Sequence, residues 1–198
     1  MPKQEIIIHI VDLRKADINQ FLSSPYLSEE DLDAVKEFKM EEMREEKLIS
    51  RYFKNKYVGE YYLGEHGKPL SKNICFNISH SHGVIIFASS NKDIGVDIEM
   101  IKEVEDKLVD YVTTDEEKEY ASSLEKFFEV WTLKESLLKA DGCGIAMNLK
   151  EISTLPVDEV KEFNHHRYQS KLLRYDNYVI ALSINLEEEI EVRIKEEL

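Results

Sequence analysis

The sequence predicts an α+β fold built as a pseudo-twofold duplicate, two similar halves with a cleft at their junction. Three observations predict it. The order strand, helices, strands occurs twice along the 198 residues. A strand carrying Val11-Asp12-Leu13 opens the first half, and one carrying Val96-Asp97-Ile98 opens the second. No low-complexity linker separates them, and the second half begins with the strand at 93, giving halves 1–92 and 93–198. A chain of this length buries a sizeable core.

Each element has its own signal. Residues 5–13 (EIIIHIVDL) form an apolar run with the length of a buried strand. Residues 28–58 read as helical: Ser28 caps with Asp31 three residues on, and Leu32, Val35, Phe38, Met43, Leu48, Ile49, Tyr52 and Phe53 return at helical spacing. Residues 64–72 (GEHGKPLSK) are a Gly/Pro turn region. Residues 74–79 and 83–90 read as strands around an SHSH turn. In 93–100 (DIGVDIEM) Ile94, Val96 and Ile98 take one face, and Asp93, Gly95, Asp97 and Glu99 the other. Residues 103–111 read as a helix, Thr114 caps a second over 115–123 with Glu117 three residues on, and a third covers 124–140 and ends at Gly142 and Gly144. The stretches 178–184 and 187–194 read as strands.

Composition narrows the function. With 40 Asp and Glu against 26 Lys and Arg, the net charge is −14 and the pI about 4.9. Such a field repels phosphate backbones and argues against nucleic-acid binding. No window approaches the ~20 apolar residues of a membrane span. Cys75 and Cys143 show no pairing pattern, and the N-terminal apolar run is too short for a signal peptide. The expectation is a cytoplasmic protein with two free thiols.

Four short stretches carry candidate chemistry. Asp97 and Glu99 point the same way from one strand, and two carboxylates on one face repel unless a cation sits between them. Oxygen ligands without cysteine suit Mg2+ or Mn2+, although taken alone the pair reads more plainly as an exposed acidic strand face. In WTLKESLLK (131–139), Trp131, Glu135 and Lys139 lie along one helix side. That pattern reads as a surface Glu–Lys pair beside a core Trp, or as a third carboxylate for a metal with a lysine for a phosphate. Gly67-Lys68-Pro69 is a surface turn, or one that holds Lys68 out to an anion. FNISHSHG (76–83) allows three readings besides a capped turn. His80 and His82 could bind a metal with Asp97 and Glu99 in a divalent-metal hydrolase. A Ser–His nucleophile pair is weaker, because strand neighbours point to opposite faces and no Gly-x-Ser-x-Gly elbow is present. A phosphate cradle of hydroxyl, imidazole and backbone N–H groups is the third.

The order of these stretches is more specific than any of them alone. GKP at 67–69, FNISHS at 76–81, IGVDIE at 94–99 and WTLKESLLKADGCG at 131–144 follow one another as in the 4′-phosphopantetheinyl transferase superfamily. The length and the Trp-x-x-Lys-Glu-x-x-x-Lys form resemble its Sfp-type, two-halved branch, and a looser match at Phe38 and Arg51 resembles the N-terminal helix pattern.

The resemblance implies a fold of two subdomains, each a small, mainly antiparallel sheet packed with helices. It implies a monomeric, pseudo-dimeric enzyme with holo-[acyl-carrier-protein] synthase activity. That enzyme moves the phosphopantetheine arm of coenzyme A onto a serine of an acyl or peptidyl carrier protein and releases adenosine 3′,5′-bisphosphate. By position, Asp97, Glu99 and Glu135 would hold Mg2+ (or Mn2+), and Lys139 would bind phosphate or assist the leaving group. Ser79, His80, Lys68 and Pro69 would contact the coenzyme in the N-terminal half, with catalysis in the C-terminal half. Glu116 falls where the family has a helix-start Glu near the metal, and Glu135 or Glu116 would serve as base. The stretch before Phe38 is mostly acidic, leaving Arg51, Lys36 and Lys39 to grip the coenzyme. The metal hydrolase and a non-catalytic carrier-binding module are the alternatives.

Overall fold

The computed structural model describes residues 4–64, 68–143, 148–157, 159–186 and 188–197. Gly67 and Gly144, named above as turn and helix-stop residues, lie outside them, as does the first residue of the 187–194 stretch. The described elements are β1 (Gln4–Asp12), α1 (Ile18–Leu22), α2 (Glu29–Lys36), α3 (Glu41–Tyr57), β2 (Tyr62–Leu63), β3 (Pro69–Leu70), β4 (Cys75–Ser81), β5 (Val84–Ser90) and β6 (Ile94–Met100). They continue with α4 (Asp106–Val112), α5 (Asp115–Tyr120), α6 (Leu124–Asp141), β7 (Lys161–Phe163), β8 (His166–Tyr175), β9 (Tyr178–Ile184) and β10 (Ile190–Glu196). None of the described helices is long and apolar enough to cross a membrane.

Two four-stranded sheets form, ordered β10-β1-β5-β4 and β6-β9-β8-β7. Each half has the same plan. An opening strand is followed by helices and then by a hairpin, and the hairpin's second strand returns antiparallel to the opening strand: β1 with β5, β6 with β9. The α+β pseudo-duplicate is therefore present in the connectivity as well as the element order.

Period-2 patterning decides which faces meet. Ile6, Ile8 and Ile10 of β1 and Val84, Ile86 and Ala88 of β5 pack with Ile94, Val96 and Ile98 of β6 and Ile180, Leu182 and Ile184 of β9 in one shared core. The opposite face of the first sheet (Val11, Ile85, Phe87) packs under α3 through Leu48, Ile49 and Phe53. The opposite face of the second sheet packs under α6 through Val130, Leu137 and Leu138. The layers run helix, sheet, sheet, helix.

Local capping agrees with the sequence at three points. Ser28 and Asp31 form a capping box at α2, Thr114 and Glu117 another at α5, and Gly142 ends α6 at φ 84°. The structure adds Ser123 as the cap of α6. Two expectations are corrected and one helix is added. The 28–58 stretch is two helices, not one. A continuous helix of that length would span about 45 Å, twice a seven-residue strand, so it folds back at 37–40 and α2 packs on α3. A short α1 capped by Asp17 precedes it and buries Phe21. Finally, the SHSH segment is strand as far as Ser81; the hairpin turn is His82-Gly83, with φ 45° and 78°, as a two-residue hairpin requires.

The end of the chain leaves the half that encodes it. β10 pairs parallel with β1, so residues 190–196 complete the first sheet and cover an edge that would otherwise present unpaired N–H and C=O groups. Glu197 then accepts hydrogen bonds from Lys56 (2.6 Å) and Tyr57 (2.7 Å) and meets the His9 ring at 2.7 Å, tying this strand to α3 and β1.

Two constraints hold α6 in place. At Gly95 on β6, a Cβ would collide with the Ser136 carbonyl oxygen and the Ala140 amide nitrogen and sit 2.9 Å from the Lys139 carbonyl carbon, so the helix backbone lies directly on the strand. Lys134, fully buried, donates to the carbonyls of Val112 (2.6 Å) and Leu149 (2.8 Å) and pairs with buried Glu117 at 2.5 Å. Burial pushes the Lys134 pKa down while Glu117 opposes the shift. Replacing Gly95 by Ala should cost at least about 3 kcal/mol, the upper end of overpacking penalties, because the obstacle is backbone. Lys134→Met should cost about 3–5 kcal/mol by leaving Glu117 buried without its partner. Urea denaturation of each variant reads both values.

Candidate active site

The site forms where an edge of each sheet meets the other. β4 and β6 exchange no backbone ladder; side chains of β4 bridge them. Asn77 Oδ1 accepts from the Val96 amide (3.0 Å), Ser79 Oγ donates to Asp97 Oδ1 (2.9 Å), and Ser81 Oγ accepts from the Met100 amide (3.2 Å) while donating to Glu99 Oε2 (3.1 Å). Alternation puts 77, 79 and 81 on this face and Phe76, Ile78 and His80 on the α3 side.

Above the seam lies α6. Lys139 Nζ stands 2.5 Å from Asp97 Oδ1 and donates to Ser79 Oγ at 2.9 Å. Asp97 is buried, and its Oδ2 has no hydrogen-bond partner among the described residues. Glu135 sits one helical turn before Lys139 and is half-buried. Burial and then the charge of Asp97 push the Glu99 carboxyl up to about 7. The same two causes raise Glu135, with Lys139 partly offsetting them. Three carboxylates therefore crowd one low-dielectric corner, and two of them are held toward their protonated forms.

This is a donor set suited to a hard divalent cation. It is oxygen-only, anionic and under-neutralised, with a buried carboxylate oxygen lacking a partner. Among the described residues no three acceptors already converge on a common point as metal ligands. The fit lies in the chemistry of the donors and the orphaned Asp97 oxygen.

The structure brings together Ser79, Asp97, Glu99, Glu135 and Lys139. Other residues named from the sequence lie elsewhere. His80 faces Glu46 of α3 at 3.3 Å with half its side chain exposed, so Ser79 and His80 do not share a cradle. His82 occupies the turn, against Ser81 (3.1 Å) and Lys102 (3.4 Å); the two histidines do not join Asp97 in a ligand set. Arg51 pairs with Asp31 (3.0 Å) and Lys36 with Asp33 (2.7 Å), while Lys39 is exposed between α2 and α3. Lys68 donates to the Ala140 carbonyl (2.8 Å) and caps the C-terminus of α6, with burial pushing its pKa down; Pro69 begins β3. Glu116 is exposed on the first turn of α5, and it is Glu117 that turns inward to Lys134 and Thr154.

Sequence reasoning missed three contributors. Ser81 was detectable, since it lies two residues from Ser79 on one strand face. Glu117 had its signal in the capping box, which fixes its side chain against the helix start. For Gly95 the signal was a glycine inside a strand pattern, which marks a close approach of another backbone.

Because the Glu99 pKa in the fold exceeds its ordinary 4.5, the folded state holds a proton that the unfolded chain has released. That contribution is complete below pH 4.5 and is lost as the pH rises to about 7. Without divalent ions, Glu99→Gln should therefore gain on the wild type by about 1–2 kcal/mol between pH 5 and 8. Melting curves across this range, at about 2–4 °C per kcal/mol, check it.

Residues 93–183 match the family model described as the 4′-phosphopantetheinyl transferase superfamily. The chain is 41% identical over 88 residues to 4′-phosphopantetheinyl transferase gsp of Aneurinibacillus migulanus, covering 41% of this chain and 37% of that protein. It is 30% identical over 118 residues to 4′-phosphopantetheinyl transferase Sfp of Bacillus subtilis (strain 168), covering 54% and 52%. A putative 4′-phosphopantetheinyl transferase of Haemophilus influenzae is 31% identical over 138 residues, covering 64% and 58%. The chain thus spans about half the length of the curated relatives it matches. Among solved structures, holo-[acyl-carrier-protein] synthase of Thermotoga maritima superposes with a TM-score of 0.36 and 19% identity, over 50% of this chain and 64% of that one.

Proposed function

We propose, from the premise that the chain belongs to the 4′-phosphopantetheinyl transferase superfamily through its 93–183 segment, that it transfers the phosphopantetheine arm of coenzyme A to a carrier-protein serine. The observation that carries this reading is the buried Asp97, with one oxygen on Lys139 and Ser79 and the other unpartnered, beside Glu99 and Glu135.

Transfer forms a bond from the carrier serine oxygen to the phosphorus bearing the pantetheine arm. It breaks that phosphorus's bond to the bridging oxygen of the pyrophosphate, and adenosine 3′,5′-bisphosphate leaves. A divalent cation held by Asp97, Glu99 and Glu135 would neutralise charge developing on the phosphoryl oxygens. Lys139 supplies a further positive charge at the phosphate. Ser79 orients Asp97 and Lys139 through its two hydrogen bonds. The serine proton would pass to Glu135 or Glu116: Glu135 stands in the crowded corner, and Glu116 on the exposed first turn of α5.

His80 and the cations Arg51, Lys36 and Lys39 belong to the N-terminal half, where the donor's ribose phosphate end would lie, and each of the first three already has an acidic neighbour. Lys68 contributes by holding the end of α6. The proposed organisation is an N-terminal half that contacts coenzyme and a C-terminal half that carries the carboxylates, in a cytoplasmic protein.

Two arrangements of this site are separable by experiment. With fluorescent coenzyme A, Mg2+ and a panel of acyl and peptidyl carrier proteins, the wild type should label at least one carrier. Asp97→Asn and Glu135→Gln should each lose at least about 100-fold in rate, the size of a lost catalytic contact. His80→Ala should raise the KM for coenzyme A, and His82→Ala should change it little. Labelling that survives Asp97→Asn would refute the reading, and phosphoester cleavage with stoichiometric zinc would replace it by the hydrolase.

A further inference from the structure

We infer that Lys139 and a divalent cation compete for Asp97, so that Lys139 is an internal counter-ion which the cation displaces on binding. The inference rests on the carboxylate reading of the site. Asp97 is buried, with its side chain 4% exposed, and such a carboxylate needs a positive partner. Lys139 Nζ meets that need at 2.5 Å from Oδ1 and is anchored a second time by Ser79 at 2.9 Å. Ser79 in turn donates to the same Asp97 oxygen, closing a three-membered ring of contacts. The ammonium thus stands on the buried carboxylate itself.

Neither neighbour competes for this partner. Glu99 takes its hydrogen bond from Ser81. Glu135 has no hydrogen-bond partner among the described residues and feels Lys139 only through its charge. A cation that takes the unpartnered Oδ2 of Asp97 shares one carboxylate with the Lys139 ammonium on Oδ1, and the repulsion between the two charges weakens the Lys139 contact and lowers the cation's apparent affinity. The arrangement also has a use. Lys139 freed from Asp97 keeps its place one turn from Glu135, available to an anionic phosphate, so its release is coupled to cation binding.

Titration with Mn2+, followed by calorimetry or by loss of the free-ion paramagnetic signal, tests this without any turnover. Lys139→Met should bind Mn2+ at least about fivefold more tightly than the wild type. General charge removal is controlled by Lys102→Met, which deletes a positive charge acting on Glu99 without touching Asp97, and should change the affinity by less than about twofold. A wild-type measurement covers the case in which Lys139→Met fails to fold: in lysine-labelled protein, the Lys139 Cε–Nζ resonance should move away from its ion-paired position as Mg2+ is added. Equal affinities in Lys139→Met and wild type, an equal gain in Lys102→Met, or an unmoved resonance in the presence of bound Mg2+ would overturn the inference. If instead the wild type binds no Mn2+, or Asp97→Asn binds it as the wild type does, the carboxylate reading itself fails and the competition with it.

Discussion

The structure turns on an unpaired strand edge. β6 is the outer strand of its sheet, and an edge of free N–H and C=O groups is normally covered or paired. Here the neighbouring edge strand, β4, covers it with side chains: Asn77 and Ser81 take the amides of Val96 and Met100. Because strand side chains alternate, the same row that satisfies the edge must place Ser79 between them, and Ser79 meets Asp97. One seam joins the two halves and builds the polar floor of the site.

The pseudo-twofold plan makes the contrast informative. β1 is the counterpart of β6, and its equivalent edge is filled by β10, a true strand partner. One edge is closed by a backbone ladder and the other by serine and asparagine side chains. Only the second arrangement leaves carboxylates facing an open corner, which is why the two similar halves differ in chemistry. Gly95 completes the asymmetry. With no side chain there, α6 settles onto β6, and Lys139 reaches Asp97 across a gap that any larger residue would widen.

Electrostatics then follows from geometry. Lys139 and Ser79 surround one oxygen of Asp97, and burial, followed by the neighbouring Asp97 carboxylate, lifts Glu99 and Glu135. The buried Lys134–Glu117 pair plays a separate, structural part. It fastens α6 to the ends of α4 and α5 and to the 149–151 turn, so that the helix carrying Glu135 and Lys139 cannot slide along the sheet.

The sequence by itself determined the strand at β6, the carboxylates sharing its outer face, the capped starts of α2 and α5, the glycine end of α6, and the duplicated order of elements. All of these are local: period-2 alternation, period-3.6 spacing and cap chemistry act within a few residues. Only the tertiary structure decided that SHSH continues as strand, separating Ser79 from His80; that the acidic helical stretch folds back at 37–40; that Glu117 rather than Glu116 turns inward; and that the last strand crosses to the first sheet. Those outcomes depend on which distant edge needs covering and which buried charge needs a partner. Both are set by residues far apart in the chain: Lys139 is 42 residues from Asp97, and Ser79 is 18. No spacing rule along the sequence encodes such a pairing; it exists only once two sheets and a helix have packed.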